Sequence, residues 1–546
     1  MSKVGCNLLI KRTIYFPLHA YPNKEIVYRD KVRYTYSEFY KRLQKLANGL
    51  ESIGAKPGSK IAFVDWNTHQ YLEGMFAIPM MGSLIHHVNI RLAPEEILYT
   101  MKYVEDDYVI VRDEFLPLAE KLASHTPFVK GWIVTGESED VKTSLKPLYF
   151  YEDLIKEGSA KYEFPEIDEN TDASVYFTSG TTGLPKAVHF SHREIILQCM
   201  INGLALAANP SPASFTSADI VMHIPPFFHG MGWTLPYLMT MLGLKQVLPG
   251  RYEPKMMLDL IKNEGVTYAA GVPVFLKMIL DYPEVENYKD ALSKFKFLCD
   301  GEHPTRSLFE RAKSLGIKMI EAFGMSEAVG LTFSTLKSHM VDWPWEKQVE
   351  YLNKAGLPAP LVEIKIVDES GKEVPKDGKS MGEVCVKSPG LTRGYWKNPE
   401  KTKESWDDEG WFHTGDIGVW DEEGYITIVD RLKDVIKSGG EWISSIRLED
   451  FINKHPAVSE VAVVAVRSEK WSERPVAVVT LKQEYVGKVS EEDLKEFLLR
   501  EFVEKGKMAK WWVPDKFFIV DEIPRTSVGK VNKKVIRDKY KDLVLP

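Results

Sequence analysis

One stretch constrains this chain more than any other: ASVYFTSGTTGLPKA, from Ala173 to Ala187. Its first half, ASVYFTS, reads as a buried strand. A helical pattern resumes near His192. Between them stand the hydroxyls of Thr178, Ser179, Thr181 and Thr182, the glycines Gly180 and Gly183, and Lys186 after Pro185. Strand, glycine-rich loop, helix is an arrangement that points backbone N–H groups at an anion. Glycines let the backbone approach a phosphate closely, and Lys186 adds a point charge. The Walker pattern G-x-x-x-x-G-K-[ST] is not met, because Lys186 follows Pro185 rather than a glycine. A plain surface loop has the same composition, so the loop by itself leaves both readings open.

The chain has 546 residues, too many for one ordinary domain. Strand–turn–helix alternation past residue 300 predicts α/β layers. SEFYKRLQKLANGLESI places Phe39, Leu43, Leu46, Leu50 and Ile53 at helical spacing, and IAFVDW follows as a strand. Residues 136–170 are polar and read as an irregular surface connection. Near residue 430 the texture changes, and EVAVVAV, VAVVTLK and a helix from Ser490 to about Lys505 predict a smaller α+β domain. The expected domains are therefore 1–430 and 431–546. The fold class is α/β, a large multi-sheet N-terminal domain followed by a smaller α+β domain.

A formal net charge of -7 gives no support for nucleic-acid binding. Cys6, Cys199, Cys299 and Cys385 lie far apart, which disfavours a disulfide scaffold or a zinc site and fits a reduced cytoplasm. The N-terminal residues lack a signal-peptide pattern. No apolar run reaches the ~18 residues of a membrane helix, so stable membrane insertion is not expected.

Four further motifs follow the loop in order: AFGMSE at Ala322–Glu327, FHTGD at Phe412–Asp416, DRLKDVIKSGGEWI at Asp430–Ile443, and PRTSVGK at Pro524–Lys530. Together with TSGTTGLPK they resemble the adenylate-forming enzymes, the group of acyl-CoA synthetases, luciferases and peptide-synthetase adenylation domains, over nearly the whole chain. SGGEWISS and DWNTH at Asp65–His69 resemble most the prokaryotic medium- and long-chain fatty acyl-CoA synthetases.

The resemblance implies a two-step reaction. A carboxylate attacks the α-phosphate of ATP, giving an acyl-adenylate and diphosphate; the thiol of coenzyme A then displaces AMP. It implies that Thr178, Ser179, Gly180, Thr181, Thr182 and Gly183 hold the β- and γ-phosphates, with Lys186 as a cation and Mg2+ as a bridge. Ala187 replaces a usual glycine, a minor local change. Phe323 is implied to stack on adenine, Ser326 to keep a hydroxyl in place of threonine, and Glu327 to bind Mg2+. Gly301, Glu302 and His303 of DGEHP are implied to line the adenine pocket. Without the family, Phe323 and Glu327 read first as a buried aromatic and a member of a surface ion pair.

Asp416 is implied to accept the ribose hydroxyls through its two oxygens, with Arg431 on the same ribose. Lys530 is implied to enter the site for adenylation and to stabilise charge on the reacting oxygens. Lys433 matches the family's hinge, about which the C-terminal domain rotates between half-reactions. The second orientation is implied to present Lys437–Trp442, with Gly439 and Gly440 passing the pantetheine arm. Arg447 stands where glutamate is common.

In HIPPFFHGMGW, His223–Trp233, the resemblance places His229 beside the acyl site and Trp233 as a gate on the fatty-acid tunnel. A wall residue and a core residue are the ordinary alternatives. Gly324 stands where acetate and propionate enzymes carry a tryptophan, so the pocket floor is expected to be open. The expected function is an AMP-forming acyl-CoA synthetase for a medium- or long-chain acid. The alternatives are a short-chain or hydroxy-acid CoA ligase, such as one for 4-hydroxybutyrate, and a non-catalytic nucleotide- or lipid-binding protein that kept the fold. The partners are then the acid, ATP and CoA. Long-chain relatives are often dimers through the N-terminal domain, which raises a homodimer as an expectation.

Overall fold

A computed structural model of the chain describes residues 6–136, 141–178, 185–439, 441–525 and 531–545, and the side chains of Met231, Trp233 and Glu441 fall outside it. The described residues form two compact units. One takes those within 1–178, 184–363 and 387–404; the other takes those within 364–386 and 405–546.

The first unit contains two large sheets. A seven-stranded sheet runs in the order Leu148–Phe150, Gly131–Thr135, Tyr108–Arg112, Lys60–Val64, Leu84–His87, Asp172–Phe177, Ala187–Ser191. All its neighbours are parallel except the last pair. Strands such as Ile61–Val64 and Val109–Val111 are buried along their length. Near-continuous apolar runs are what a parallel sheet covered on both faces requires. The helix Tyr36–Ser52 follows the predicted spacing and buries Phe39, Leu43, Leu46 and Leu50. Its start is set by a capping box, in which Thr35 accepts from the Glu38 N–H and Glu38 accepts from the Thr35 N–H. Losing such a cap typically costs about 1 kcal/mol.

The segment expected to be irregular, 136–170, departs from that reading. It includes the strand Leu148–Phe150 and the helix Tyr151–Glu157, which buries Tyr151, Leu154 and Ile155. Three apolar residues suffice because the Tyr151 hydroxyl also donates to Glu73, at 2.9 Å. That contact spans 78 residues and leaves no local signal.

The nine-stranded sheet carries the feature that positions the site. Lys296–Cys299 pairs in parallel with Lys318–Phe323, with Cys299 opposite Glu321. The turns that leave these two strands, Asp300–Pro304 and Gly324–Gly330, therefore emerge side by side at one sheet end.

The second unit holds a four-stranded sheet, Glu363–Val367, Gly382–Lys387, Phe412–Trp420, Ile426–Arg431, and a six-stranded one built on the hairpin Val458–Ser468 and Ser472–Leu481. In that hairpin Val461, Val463, Ala477 and Val479 face a core that includes Leu448, Phe451 and Leu498. Ala462, Val464, Val476 and Val478 face Ile523 and Ile536 on the other side. Two-sided burial of a period-two strand explains why EVAVVAV is apolar at nearly every position. The predicted C-terminal helix is present as Glu491–Leu498, with a wider turn over Leu499–Val503. The observed architecture is the expected one, a large multi-sheet α/β region and a smaller region of α+β structure that follows it in the chain. The four cysteines are free, and among the described residues no helix is long and apolar enough to cross a membrane.

Candidate active site

The strand before the signature loop, Asp172–Phe177, pairs antiparallel with Ala187–Ser191, and Phe177 lies opposite Ala187. At the loop mouth the Thr178 N–H donates to the Lys186 carbonyl at 2.9 Å, and the Lys186 N–H donates to Thr178 Oγ1 at 3.4 Å. This corrects the strand–loop–helix reading. A strand intervenes, and the helix begins only at His192. Its first turn is occupied by its own capping box, Ser191 with Glu194, so it offers no free N–H array to an anion. The strand AVHFS is short and half-polar, which hid it among loop residues. Ala187 is buried inside this regular strand, where alanine needs no special backbone geometry. Ser179, Gly180, Thr181, Thr182 and Gly183 lie outside the described residues.

The two adjacent turns are joined by Asp300. Its Oδ1 accepts from the Gly301 N–H at 2.5 Å and from the Gly324 N–H at 3.2 Å. Gly301 sits at φ +88, where glycine is at ease. His303 is held through Nδ1, 3.0 Å from the Glu321 carboxylate, which also accepts from Asn353 at 3.2 Å. Glu302 and Phe323 are half-buried, and the Phe323 carbonyl accepts from the Leu331 N–H at 2.9 Å.

The turn after Phe323 is tightly closed. A Cβ placed on Gly324 would lie 1.9 Å from the Val329 carbonyl oxygen. Val329 itself sits at φ +47, an unusual conformation for a β-branched residue. Gly324 thus serves backbone closure, a role the sequence reading of an open pocket floor did not include. The Ser326 carbonyl accepts a hydrogen bond from the Tyr176 hydroxyl. Glu327 is 7% exposed; its Oε1 accepts from the Tyr395 hydroxyl at 2.7 Å, and its carbonyl accepts from the Thr392 N–H at 2.9 Å. The Lys186 ammonium lies 5.0 Å from the centre of the Tyr395 ring. Burial, with help from Lys401, holds the Lys186 pKa below its ordinary value, against the opposing pull of Glu327 and Glu404.

The segment expected beside the acid is pinned by Asn67. Its amide donates to the carbonyls of His223 and Pro225, at 2.9 and 2.8 Å, and its Oδ1 accepts from the Phe227 N–H at 3.0 Å. His229 is half-buried, its N–H on the Pro226 carbonyl at 3.0 Å. The Trp233 side chain lies outside the described residues.

In the second unit, Asp416 and Arg431 are cross-strand partners, with Arg431 Nε 2.7 Å from Asp416 Oδ1. Asp416 is 2% exposed, whereas Arg431 is largely open to solvent. The turn before Asp416 is held by Glu383. Its Oε1 accepts from the Gly415 N–H at 3.1 Å, and its Oε2 lies 2.9 Å from His413 Nδ1. Lys433 lies in the turn after this strand pair, where the Asp434 N–H returns to the Arg431 carbonyl at 2.8 Å. Gly439 sits at φ +61, its N–H on the Trp471 carbonyl at 2.9 Å. Gly440 and Lys530 lie outside the described residues.

The structure thus brings Lys186 and Glu327 together through Tyr395, Gly301 and Gly324 together through Asp300, and Asp416 together with Arg431. Asp300, Tyr395, Asn67 and Glu383 received no role from sequence. Only Asp300 and Asn67 stood within motifs that drew notice.

Comparison with known proteins gives this geometry a family. The AMP-binding enzyme model matches residues 17–396, and the AMP-binding enzyme C-terminal domain matches residues 447–530. The chain belongs to the AMP-binding enzyme family, the adenylate-forming enzymes. It is 38% identical over 525 residues to a long-chain-fatty-acid–CoA ligase of Thermus thermophilus, covering 95% of this chain and 93% of that protein. It is 34% identical over 520 residues to a medium-chain-fatty-acid–CoA ligase of Ectopseudomonas oleovorans, covering 94% and 92%. Its fold matches ATP-bound MatB from Rhodopseudomonas palustris with a TM-score of 0.83 at 25% identity, over 98% of this chain and 99% of that one.

Proposed function

We propose that the chain is an AMP-forming acyl-CoA synthetase that activates a medium- or long-chain aliphatic acid. ATP and the acid give acyl-adenylate and diphosphate; CoA then gives the thioester and AMP. The observation that carries this reading is the convergence of Lys186 and Glu327, far apart in sequence, on one tyrosine at the mouth of the signature loop. A cation and a buried carboxylate beside a hydroxyl-rich loop suit a magnesium nucleotide. The Glu327 carboxylate fits a hard cation such as Mg2+: Tyr395 occupies Oε1, and no described residue donates to Oε2. When bound, Mg2+ would neutralise phosphate charge and favour departure of diphosphate.

Lys186 supplies a further positive charge to the β- and γ-phosphates. Phe323 and the Gly301–His303 turn take the adenine, and Asp416 with Arg431 takes the ribose. His229 and Trp233 border the acid. Lys530 acts in adenylation, and Lys433, Gly439 and Gly440 serve the change to thioester formation. We place the domain boundary for that change at 430/431. A cytoplasmic enzyme, active as a homodimer, completes the proposal.

Asp416→Asn is expected to raise KM for ATP about tenfold or more, the loss of a charge-assisted hydrogen bond, with KM for the acid unchanged. Initial rates at varied ATP check it.

The acid is identified by supplying straight-chain acids from acetate to palmitate, and 4-hydroxybutyrate, with ATP and CoA, and following AMP release. Each methylene that enters the pocket contributes ~0.8 kcal/mol, about fourfold in kcat/KM. A profile that rises through the medium-chain acids is expected, and Trp233→Ala is expected to shift its maximum. A profile that peaks at 4-hydroxybutyrate makes the enzyme a hydroxy-acid ligase, and silence with every acid sinks the synthetase reading.

A further inference from the structure

We propose that Tyr395 is a positioning residue for the nucleotide-activating step: its hydroxyl aims the Glu327 carboxylate while its ring seats the Lys186 ammonium. The inference rests on the reading above, which gives Glu327 the metal and Lys186 the phosphates.

Tyr395 is itself fixed. It is 7% exposed, and its N–H donates to Thr402 Oγ1 at 2.9 Å. The segment around it is bound to both partners it serves. On one side Tyr395 bridges Val188, the Trp396 N–H donates to the Ala187 carbonyl at 2.9 Å, and Thr392 Oγ1 donates to the His189 carbonyl at 2.7 Å. On the other side the Thr392 N–H holds the Glu327 carbonyl at 2.9 Å. The strand that follows the signature loop and the turn that carries Glu327 are thereby tied to one short segment.

The chemistry explains why a tyrosine serves here. An ammonium and a carboxylate left close together pair with each other, and each then loses the partner it is meant to hold. A phenol separates them. Its hydroxyl donates to one carboxylate oxygen and turns the other outward, as hydrogen bonds to ligating carboxylates commonly do. Its ring face attracts the ammonium within the ~6 Å range of a cation–π contact without neutralising it. Among the described residues, the charged groups that act on Lys186 are Lys401, Glu327 and Glu404.

The test compares Tyr395→Phe, which keeps the ring and loses the hydroxyl, with Tyr395→Leu, which loses both. ATP binding to the full chain is measured by calorimetry with excess Mg2+ and with a chelator. Tyr395→Phe is expected to lose about tenfold of the Mg2+-dependent part of the affinity, as for one hydrogen bond to a charged group, and to keep the chelator value. Tyr395→Leu is expected to lose affinity under both conditions. In a Glu327→Gln background Tyr395→Phe is expected to have little further effect, because the group it aims is gone. A wild-type Mg2+ response in Tyr395→Phe, or the same loss with and without Glu327, overturns the proposal. Wild-type protein that binds ATP in this Mg2+-dependent way, yet releases no diphosphate with any acid, overturns the synthetase reading alone.

Discussion

Lys530→Ala is expected to stop ATP–diphosphate exchange while sparing thioester formation from supplied acyl-adenylate. The two half-reactions place charge differently. In the first, an anionic carboxylate approaches an anionic phosphate, and negative charge gathers on the attacking oxygen, the bridging oxygen and the α-phosphate. One well-placed cation acting only there is worth roughly 10²–10³ in rate, by analogy with the loss of one oxyanion donor. In the second, the acyl carbon is already activated and AMP leaves as a stable anion, so the same ammonium contributes little. Exchange measured with labelled diphosphate reads the first step, and CoA consumption from synthetic acyl-adenylate reads the second. Equal loss of both refutes the role given to this lysine.

Gly324→Ala is expected to lower exchange about 10²-fold, the effect of displacing a reacting group by about 1 Å, and to lower the melting temperature. The added methyl meets the Val329 carbonyl oxygen at 1.9 Å and its carbon at 2.8 Å, with Asp300 Oδ2 at 3.0 Å. Two of these three atoms are backbone, which no rotamer change can move aside. Overpacking of this kind typically costs about 1–3 kcal/mol. Val329 is already in the left-handed region, so its peptide has little freedom to yield. Glu327 lies between the two clashing positions and moves with them. Wild-type exchange in Gly324→Ala would remove the closure argument. A bulky residue at 324 is for the same reason a poor probe of chain length: it disturbs the turn that carries Glu327 as well as the proposed acid pocket.

Sequence and structure agree where short-range physics rules. The helix Tyr36–Ser52 carries its apolar spacing and its capping box within 18 residues, Thr35–Ser52, and the spacing was legible. The two strands of the long hairpin in the second unit announced themselves through nearly unbroken apolar runs rich in valine. The adenylate-forming motifs were legible because their residues sit in consecutive positions. What stayed hidden depends on contacts across long separations. The strand Ala187–Ser191 exists because Asp172–Phe177 offers it an edge. Tyr395 reaches Glu327 across 68 residues, and Asn67 reaches Phe227 across 160. No window of sequence holds both ends of such a contact. The anion-binding reading of the loop also rested on a helix N-terminus that the intervening strand removes. The proposed phosphate role rests instead on the amides and hydroxyls that the loop sequence supplies.

The segment 387–404, which carries Tyr395, belongs to the first unit but is flanked on both sides by stretches of the second. On the ribosome this sets an order of assembly. A nascent chain that has just exposed AFGMSE already has Lys186 and Glu327, yet it lacks Tyr395, the spacer proposed between them. The two charges have their spacer only after the polypeptide has begun its second unit, with strand Gly382–Lys387 emerging before its neighbour Phe412–Trp420. On the proposed roles, nucleotide capture is thereby deferred until most of the protein has been synthesised, and a product that ends before Tyr395 carries the signature loop without the proposed grip on ATP.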